Sequence, residues 1–157
     1  LTKAEDVSFP LRWGLIGASD ISSDWAKSLW DVPGARLQAV AARSLEKAEA
    51  FAQTHKVAKA YGSYAELLAD PEVDVVYIGT ITPLHREHTM LCIEAGKHVL
   101  CEKPMASTAA EAKEMIKAAD AKGVFLTEGM WQRFFPATEH ARWVLEQGTI
   151  GDVVLVQ

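Results

Sequence analysis

The sequence has 157 residues, of which 49% are hydrophobic and 24% are charged, and its formal net charge is −5. This composition is typical of one ordinary globular domain and excludes a disordered chain. The acidic balance argues against nucleic acid or an anionic membrane as the main partner, and no apolar run approaches the roughly 20 residues of a membrane-spanning helix.

Apolar strand-like runs alternate with helix-like segments along the chain. Residues 1–10 are predicted to form a loose arm, and one domain is predicted over residues 11–148. Its predicted strands are 11–17, 37–42, 58–61, 73–79, 99–101 and 124–127. Strands and helices joined by short links favour right-handed βαβ units. The predicted fold class is therefore α/β, with a doubly wound, mostly parallel Rossmann sheet.

Several helix boundaries carry recognisable signals. Ser44 is a plausible N-cap for the second helix, and Thr108 with Glu111 has the spacing of a capping box. The fourth helix has Pro83 in its first turn and Gly96 just past its end, which is the expected punctuation. A last helix is predicted from Pro136 to Gly148.

The two ends of the sequence leave questions open. The apolar run Val153–Val156 stops with the sequence, so residues 149–157 are predicted to begin a second α+β domain that is missing here. The first residue is Leu1 rather than methionine and no signal-peptide pattern follows, so the true start stays open. Cys92 and Cys101 lack metal or redox spacing, which favours a reducing compartment such as the cytoplasm. An organelle reached by a cleaved transit peptide is not excluded.

The segment after the first strand occupies the position of a dinucleotide-binding turn. Such a turn needs small side chains, so that backbone N–H groups and the positive end of the next helix can approach a pyrophosphate. The predicted cofactor contacts are Gly17, Ala18, Ser19, Asp20 and Ile21. Ser19 and Ser22 replace two of the usual small residues, and the Ser19 side chain either narrows the approach or donates to a phosphate. The alternative is an ordinary strand-to-helix turn.

Arg43 and Ser44 follow the second strand, where NAD-preferring folds place a carboxylate for the ribose 2′-hydroxyl. A guanidinium at this position is suited to bidentate binding of a 2′-phosphate, and no carboxylate opposes it there. The sequence therefore predicts NADP rather than NAD. The alternative is a solvated arginine on a surface turn.

Glu102, Lys103 and Pro104 end a short buried strand at the edge of the predicted sheet, where open α/β sheets bind their ligands. Together with the turn at Gly17 and the segment Trp131–Pro136, this motif resembles the Gfo/Idh/MocA oxidoreductases, most closely their dimeric dihydrodiol dehydrogenase branch. The resemblance runs from about residue 11 to residue 157. It implies that Lys103 is catalytic, that Glu102 pairs with it or orients the turn, and that both contact the cofactor. A plain surface ion pair is the alternative.

The resemblance also implies a substrate and partners. The parent protein would oxidise a carbinol of a trans-dihydrodiol or of an aldose such as D-xylose, with NADP as hydride acceptor. Its missing second domain, or a partner chain, would complete the substrate pocket, and a homo-oligomer is expected. The competing hypothesis is a catalytically inactive NADP(H)-binding or structural subunit.

The remaining predicted site residues follow the fourth and sixth strands. Thr80 and His85 match the resembling family's pattern, whereas Thr82 with Pro83 departs from it and puts an asparagine contact of that family in doubt. Thr80, Thr82 and His85 are predicted to contact the cofactor. His85 is also either a second catalytic candidate or a structural histidine. Its neighbour His88 is not interpreted as a metal ligand.

The segment after the sixth strand brings aromatic side chains and a cation toward the same edge. Trp131 is predicted to form a wall of the substrate pocket, and Arg133 is predicted to hold a cofactor phosphate. Plain packing is the alternative for the aromatic residues.

Overall fold

The computed structural model describes residues 9–155, which form six strands and six α-helices. The strands are β1 (Leu11–Ile16), β2 (Ala35–Ala41), β3 (Lys59–Tyr61), β4 (Val75–Ile78), β5 (His98–Cys101) and β6 (Leu126–Glu128). The helices are α1 (Asp20–Leu29), α2 (Leu45–His55), α3 (Tyr64–Ala69), α4 (His85–Glu94), α5 (Ala109–Lys122) and α6 (Pro136–Glu146). None of these helices combines the length and apolar character needed to cross a membrane.

The six strands form one sheet in the order β3-β2-β1-β4-β5-β6, and every neighbouring pair is parallel. The chain winds outward from β1 to β3, then returns to add β4, β5 and β6 on the other side of β1. The connections after β1 and β4 therefore leave in opposite directions, which opens a crevice at the carboxyl ends of these two strands. The predicted doubly wound parallel sheet is confirmed.

Apolar side chains are buried on both faces of the sheet, because successive strand residues point to opposite faces. Leu15 and Tyr77 belong to a cluster that includes residues of α1 and α2. Their neighbours Ile16 and Ile78 belong to a second cluster that includes residues of α3, α4 and α5. All of β4 is buried, as expected for a central strand covered on both sides.

The predicted helix signals are present. Ser44 accepts from the Lys47 N–H at the start of α2, and Thr108 forms a capping box with Glu111 at the start of α5. Pro83 lies in a short 3₁₀ turn, Thr82–Leu84, that leads directly into α4. These local bonds satisfy backbone donors that a helix leaves free at its first turn.

The predicted terminal strand is not formed in the described part of the chain. Val153–Leu155 lie outside any strand, and Val154 is 94% exposed. No strand among residues 9–155 pairs with this segment, so its backbone gains no ladder hydrogen bonds. Val156 and residues 1–8 of the predicted N-terminal arm lie outside the described residues.

A buried carboxylate joins β3 to the loop before β4. The Asp70 side chain accepts from Lys59 Nζ at 2.9 Å and Tyr61 Oη at 2.9 Å, and from the Glu72 N–H at 2.9 Å. Burial alone would raise the pKa of Asp70, but these three donors outweigh it and hold that pKa below its ordinary value. Asp70 therefore stabilises the fold in its ionised form.

We expect Asp70→Ala to lower the free energy of unfolding by about 1.5–3 kcal/mol, because hydrogen bonds to a charged group are lost and their donors remain. Urea unfolding near neutral pH measures this loss. The difference from wild type should shrink as pH falls through the depressed pKa of Asp70, since the native carboxylate is then protonated.

The control for this experiment is Asp24→Ala. Asp24 pairs with Lys27 at 3.3 Å, and both side chains are exposed. Such an exposed pair contributes at most about 1 kcal/mol. Equal losses in the two variants would contradict the role assigned to Asp70.

Candidate functional site

A groove of about 310 Å³ lies at the crevice between β1 and β4. It is lined by the turn after β1, the end of β2, the start of α2 and the loop after β4. The predicted cofactor residues that line it are Gly17, Ala18, Ser19, Ile21, Arg43 and Thr80. The topology thus brings six of the thirteen predicted cofactor residues to one groove.

The turn after β1 requires a glycine at its first position. Gly17 has φ of +97°, and a Cβ there would lie 2.8 Å from Thr80 Cγ2 and 3.3 Å from the Gly79 carbonyl carbon. The close approach of β1 to β4 therefore excludes a side chain at Gly17. Glycine at this position thus lets the turn pack directly against the loop after β4 at the groove.

The Ser19 hydroxyl is used within the turn. It donates to the Gly79 carbonyl oxygen at 2.8 Å and accepts from the Ser22 N–H at 3.3 Å, so it caps α1 and ties the turn to the end of β4. Asp20 opens α1 with an exposed side chain that does not line the groove. Anions are favoured at this end of α1 because its first N–H groups and helix dipole are positive.

Two cations line the groove at the end of β2. Arg43 and Lys47 are both exposed, and neither forms an ion pair within residues 9–155. Ser44 between them caps α2 with its hydroxyl. The sequence reasoning missed Lys47, which lies in the first turn of α2, just after the Ser44 cap that Arg43 precedes. Together the two cations are suited to an anion such as a phosphate.

His85 lies beneath the groove rather than on its wall. The ring is 1% exposed, with Nε2 at 2.9 Å from the Thr80 carbonyl oxygen and Nδ1 at 2.8 Å from the Pro104 carbonyl oxygen. His85 thereby bridges the loops after β4 and β5. This supports a structural role for His85 rather than a catalytic one. Thr82 is half-buried and does not line the groove either.

His88 is paired with the loop after β4. Its Nδ1 lies 3.0 Å from Thr80 Oγ1, and its ring packs edge-on against Tyr64. Burial lowers the pKa of His88, so the ring is held neutral. This pair fixes the Thr80 side chain at the groove.

The turn after β5 presents Lys103 to solvent. Glu102 does not pair with the Lys103 amine; its Oε2 accepts from the Lys103 backbone N–H at 2.9 Å, and its Oε1 accepts from Tyr77 Oη at 3.0 Å. Of the two predicted roles for Glu102, orientation of the turn is the one this geometry supports. The sequence reasoning missed Tyr77, whose hydroxyl meets a residue 25 positions away.

A second, mostly apolar groove of about 370 Å³, here called the aromatic groove, lies beside the first. Its lining includes the aromatic residues Trp25, Tyr77, Trp131 and Phe134, together with Leu100, Glu102 and Glu128. Ile21 lines both grooves, so they meet at the first turn of α1. The predicted substrate residue Trp131 thus lies in a separate apolar groove next to the turn that carries Lys103.

Arg133 is not brought to either groove. It lies in the 3₁₀ turn Trp131–Phe134 and faces a surface depression with Glu139 and Arg142. A tight turn points successive side chains in different directions, so Trp131 reaches the aromatic groove while Arg133 does not. Arg133 is therefore absent from the lining of both grooves, and its contact with a cofactor phosphate stays a prediction.

An exposed apolar surface surrounds the aromatic groove and continues along α6. None of the residues in α6 is buried. The large exposed side chains are Trp131 (61%), Phe134 (71%) and Trp143 (54%). Apolar surface of this extent is typical of an interaction face.

Comparison with known proteins places the chain beside nucleotide-dependent oxidoreductases. Residues 11–130 match the Gfo/Idh/MocA model, described as an oxidoreductase family with an NAD-binding Rossmann fold. The trans-1,2-dihydrobenzene-1,2-diol dehydrogenase of Macaca fascicularis is 53% identical over 145 residues, covering 91% of this chain and 43% of that protein. The Homo sapiens protein of the same name is 52% identical over 145 residues, with the same coverage. The chain thus spans less than half the length of these relatives.

Solved structures show the same architecture. An NAD binding oxidoreductase from Klebsiella pneumoniae is 36% identical with a TM-score of 0.84, covering 90% of this chain and 40% of that one. KijD10, a 3-ketoreductase from Actinomadura kijaniata solved in complex with NADP, is 30% identical with a TM-score of 0.83, covering 91% and 46%. In each case the match ends well short of the other protein's full length.

Proposed function

Because the chain belongs to the Gfo/Idh/MocA oxidoreductase family, we propose that it is the dinucleotide-binding half of an NADP-dependent dehydrogenase that oxidises a carbinol. One observation carries the proposal: a groove with an open turn and two cations meets an aromatic groove beside Lys103. Here the parent protein means a protein of the relatives' full length that contains this chain. The reaction belongs to the parent protein.

The first groove has separate residues suited to each phosphate group of NADP. The turn of Gly17, Ala18 and Ser19, which lines the groove, and the positive end of α1 suit a pyrophosphate. Arg43 and Lys47 suit a 2′-phosphate, and this favours NADP over NAD. The cofactor named in the KijD10 structure gives this choice further support.

In this arrangement NADP⁺ supplies a hydride acceptor, and the protein orients the alcohol. Lys103 would hydrogen-bond the carbinol hydroxyl and accept its proton as hydride leaves the carbon. The protonated amine would stabilise the partial negative charge that the oxygen gains as the O–H bond breaks. Lys103 is exposed in this chain, so water would weaken that interaction until another element covers it.

The substrate class follows from the aromatic groove and from the relatives' name. Trp131 and its neighbours offer an apolar wall to a ring, which suits a trans-dihydrodiol, the class of compound in the relatives' name. An aldose such as D-xylose stays the second candidate. We place residues 11–148 in the cofactor domain and residues 149–157 at the start of a substrate domain, and we propose the cytoplasm as compartment because Cys92 and Cys101 are free thiols.

Turnover of the chain and of the parent protein tests this function. We expect the parent protein to form NADPH from a trans-dihydrodiol or from D-xylose and the isolated chain to form almost none. Orientation of the reacting groups alone supplies about 7–11 kcal/mol of such a barrier, and the chain lacks the part that would hold the alcohol. A parent protein that binds NADPH but oxidises neither substrate would support the alternative, an inactive NADP(H)-binding subunit.

The exposed apolar surface predicts association. We expect the isolated chain to self-associate through the face around Trp131, Phe134 and α6, because in the parent protein a second domain would cover it. We also propose that the parent protein is a homo-oligomer. Sedimentation of the chain from micromolar to millimolar concentration measures the first claim, and a monomer throughout would contradict it.

A further inference from the structure

Three consecutive residues of the turn after β5 are each held by a different side chain. The Lys103 N–H donates to Glu102 Oε2 at 2.9 Å, and the Met105 N–H donates to Glu128 Oε1 at 2.8 Å. Between them the Pro104 carbonyl oxygen lies 2.8 Å from His85 Nδ1. These bonds fix the backbone on both sides of the Lys103 side chain, which itself has no partner of opposite charge within residues 9–155.

Glu102 can hold Lys103 only if its own carboxylate stays in place, and Tyr77 is what keeps it there. The Tyr77 ring is 1% exposed and stacks on Trp25, with centroids 4.3 Å apart and an interplanar angle of 9°. Its hydroxyl donates to Glu102 Oε1 at 3.0 Å. Burial raises the pKa of Tyr77 well above its ordinary value, so the hydroxyl remains a donor.

Glu128 holds the other side of the turn. It is the last residue of β6, the strand that pairs with β5, and its carboxylate reaches across to the Met105 N–H. A parallel neighbour that ends at the same edge is well placed to support a turn that follows β5. Glu128 therefore acts on the backbone two residues after Lys103.

We propose that Tyr77 and Glu128 are positioning residues that hold the Lys103 amine in its productive place, Tyr77 through Glu102 and Glu128 through Met105. This inference rests on the proposed function, in which Lys103 touches the substrate. Both side chains also line the aromatic groove, but the roles proposed here act through their bonds to the turn and not through contact with the substrate oxygen. Their effect is on the rate of the chemical step, because displacement of a reacting group by about 1 Å can cost about 100-fold.

The test uses purified parent protein and steady-state kinetics with the substrate it oxidises. We expect Tyr77→Phe and Glu128→Ala each to lower kcat by at least about tenfold, with KM for NADP⁺ changed less than about threefold. Glu128→Gln should recover most of the loss, because its amide oxygen still accepts from the Met105 N–H. A purely structural role would not produce this rescue together with an unchanged KM.

A double-mutant cycle separates action through Glu102 from a general loss of packing. If Tyr77 acts through Glu102, adding Tyr77→Phe to Glu102→Ala should cost little more than Glu102→Ala alone. Tyr61→Phe is the matched control, since it removes a hydroxyl bonded to Asp70 and should lower stability while leaving kcat unchanged.

Three results would each contradict a different part of the proposal. Wild-type kcat in Tyr77→Phe and Glu128→Ala, with Lys103→Met inactive, would remove the positioning roles and leave the proposed function intact. Full activity in Lys103→Met would overturn the catalytic assignment itself. Additive effects of Tyr77→Phe and Glu102→Ala would contradict the route through Glu102.

Discussion

Replacing Lys103 by methionine in the parent protein is expected to lower kcat for carbinol oxidation by about 10²–10⁴-fold. Methionine keeps an unbranched apolar side chain but has no amine to bond the hydroxyl or to stabilise the charge that develops on its oxygen. The backbone bonds around position 103 involve the main chain, Glu102, His85 and Glu128, so they should survive the substitution. The loss should therefore appear in kcat rather than in folding.

NADPH formation under saturating NADP⁺ measures this effect. Lys117→Met is the matched control, because Lys117 is exposed on α5 and forms no ion pair among the described residues. Its kcat should equal that of the wild type. An active Lys103→Met enzyme would remove Lys103 from the mechanism.

Replacing Arg43 by alanine is expected to weaken NADPH binding to the chain by roughly 10- to 150-fold and to leave NADH binding nearly unchanged. A lost charge-assisted hydrogen-bond pair is worth about 1.5–3 kcal/mol, and only NADPH carries the 2′-phosphate that would accept it. Lys47→Ala should act in the same direction but more weakly, because an ammonium makes no bidentate contact.

Equilibrium titration of each variant with both nucleotides measures the discrimination. Arg142→Ala is the control, since Arg142 is an exposed arginine remote from the groove. A variant at Arg43 that loses affinity for NADPH and NADH equally would show that Arg43 supports the site in general and does not select the 2′-phosphate.

The fold was predictable because its signals are local. Short buried strands such as β4 are continuous apolar runs, and the helices between them carry their own caps at Ser44 and Thr108. The need for glycine at position 17 was also visible, because a strand, a small-residue turn and a helix follow one another there. Alternation of these units leaves few topologies, so the sheet order follows.

The contacts that organise the site were not predictable from local pattern. His85 meets a carbonyl 19 residues away, and Tyr77 meets Glu102 across 25 residues. Such partners depend on which strands lie next to each other and on the length of each loop. Arg133 shows the converse case, since its place in the sequence suggested the groove and the tight turn directs it elsewhere.

The terminal apolar run illustrates a different limit. An apolar pattern favours a strand at Val153–Leu155, but a strand also requires a neighbour to pair with, and the described part of the chain offers none. Lys47 is the opposite case. Ser44 already marked the start of α2, so a search for cations in the first turn of that helix, next to Arg43, would have found it.

Fluorescence titration of the wild-type chain with NADPH and with NADH tests the central claim most directly. The tryptophans at the aromatic groove, Trp25 and Trp131, adjoin the cofactor groove at Ile21 and should report binding. We expect saturable binding of one equivalent of NADPH per chain, with NADH binding at least about tenfold more weakly because NADH lacks the 2′-phosphate. Equal or tighter binding of NADH, or no saturable binding of either nucleotide, would contradict it.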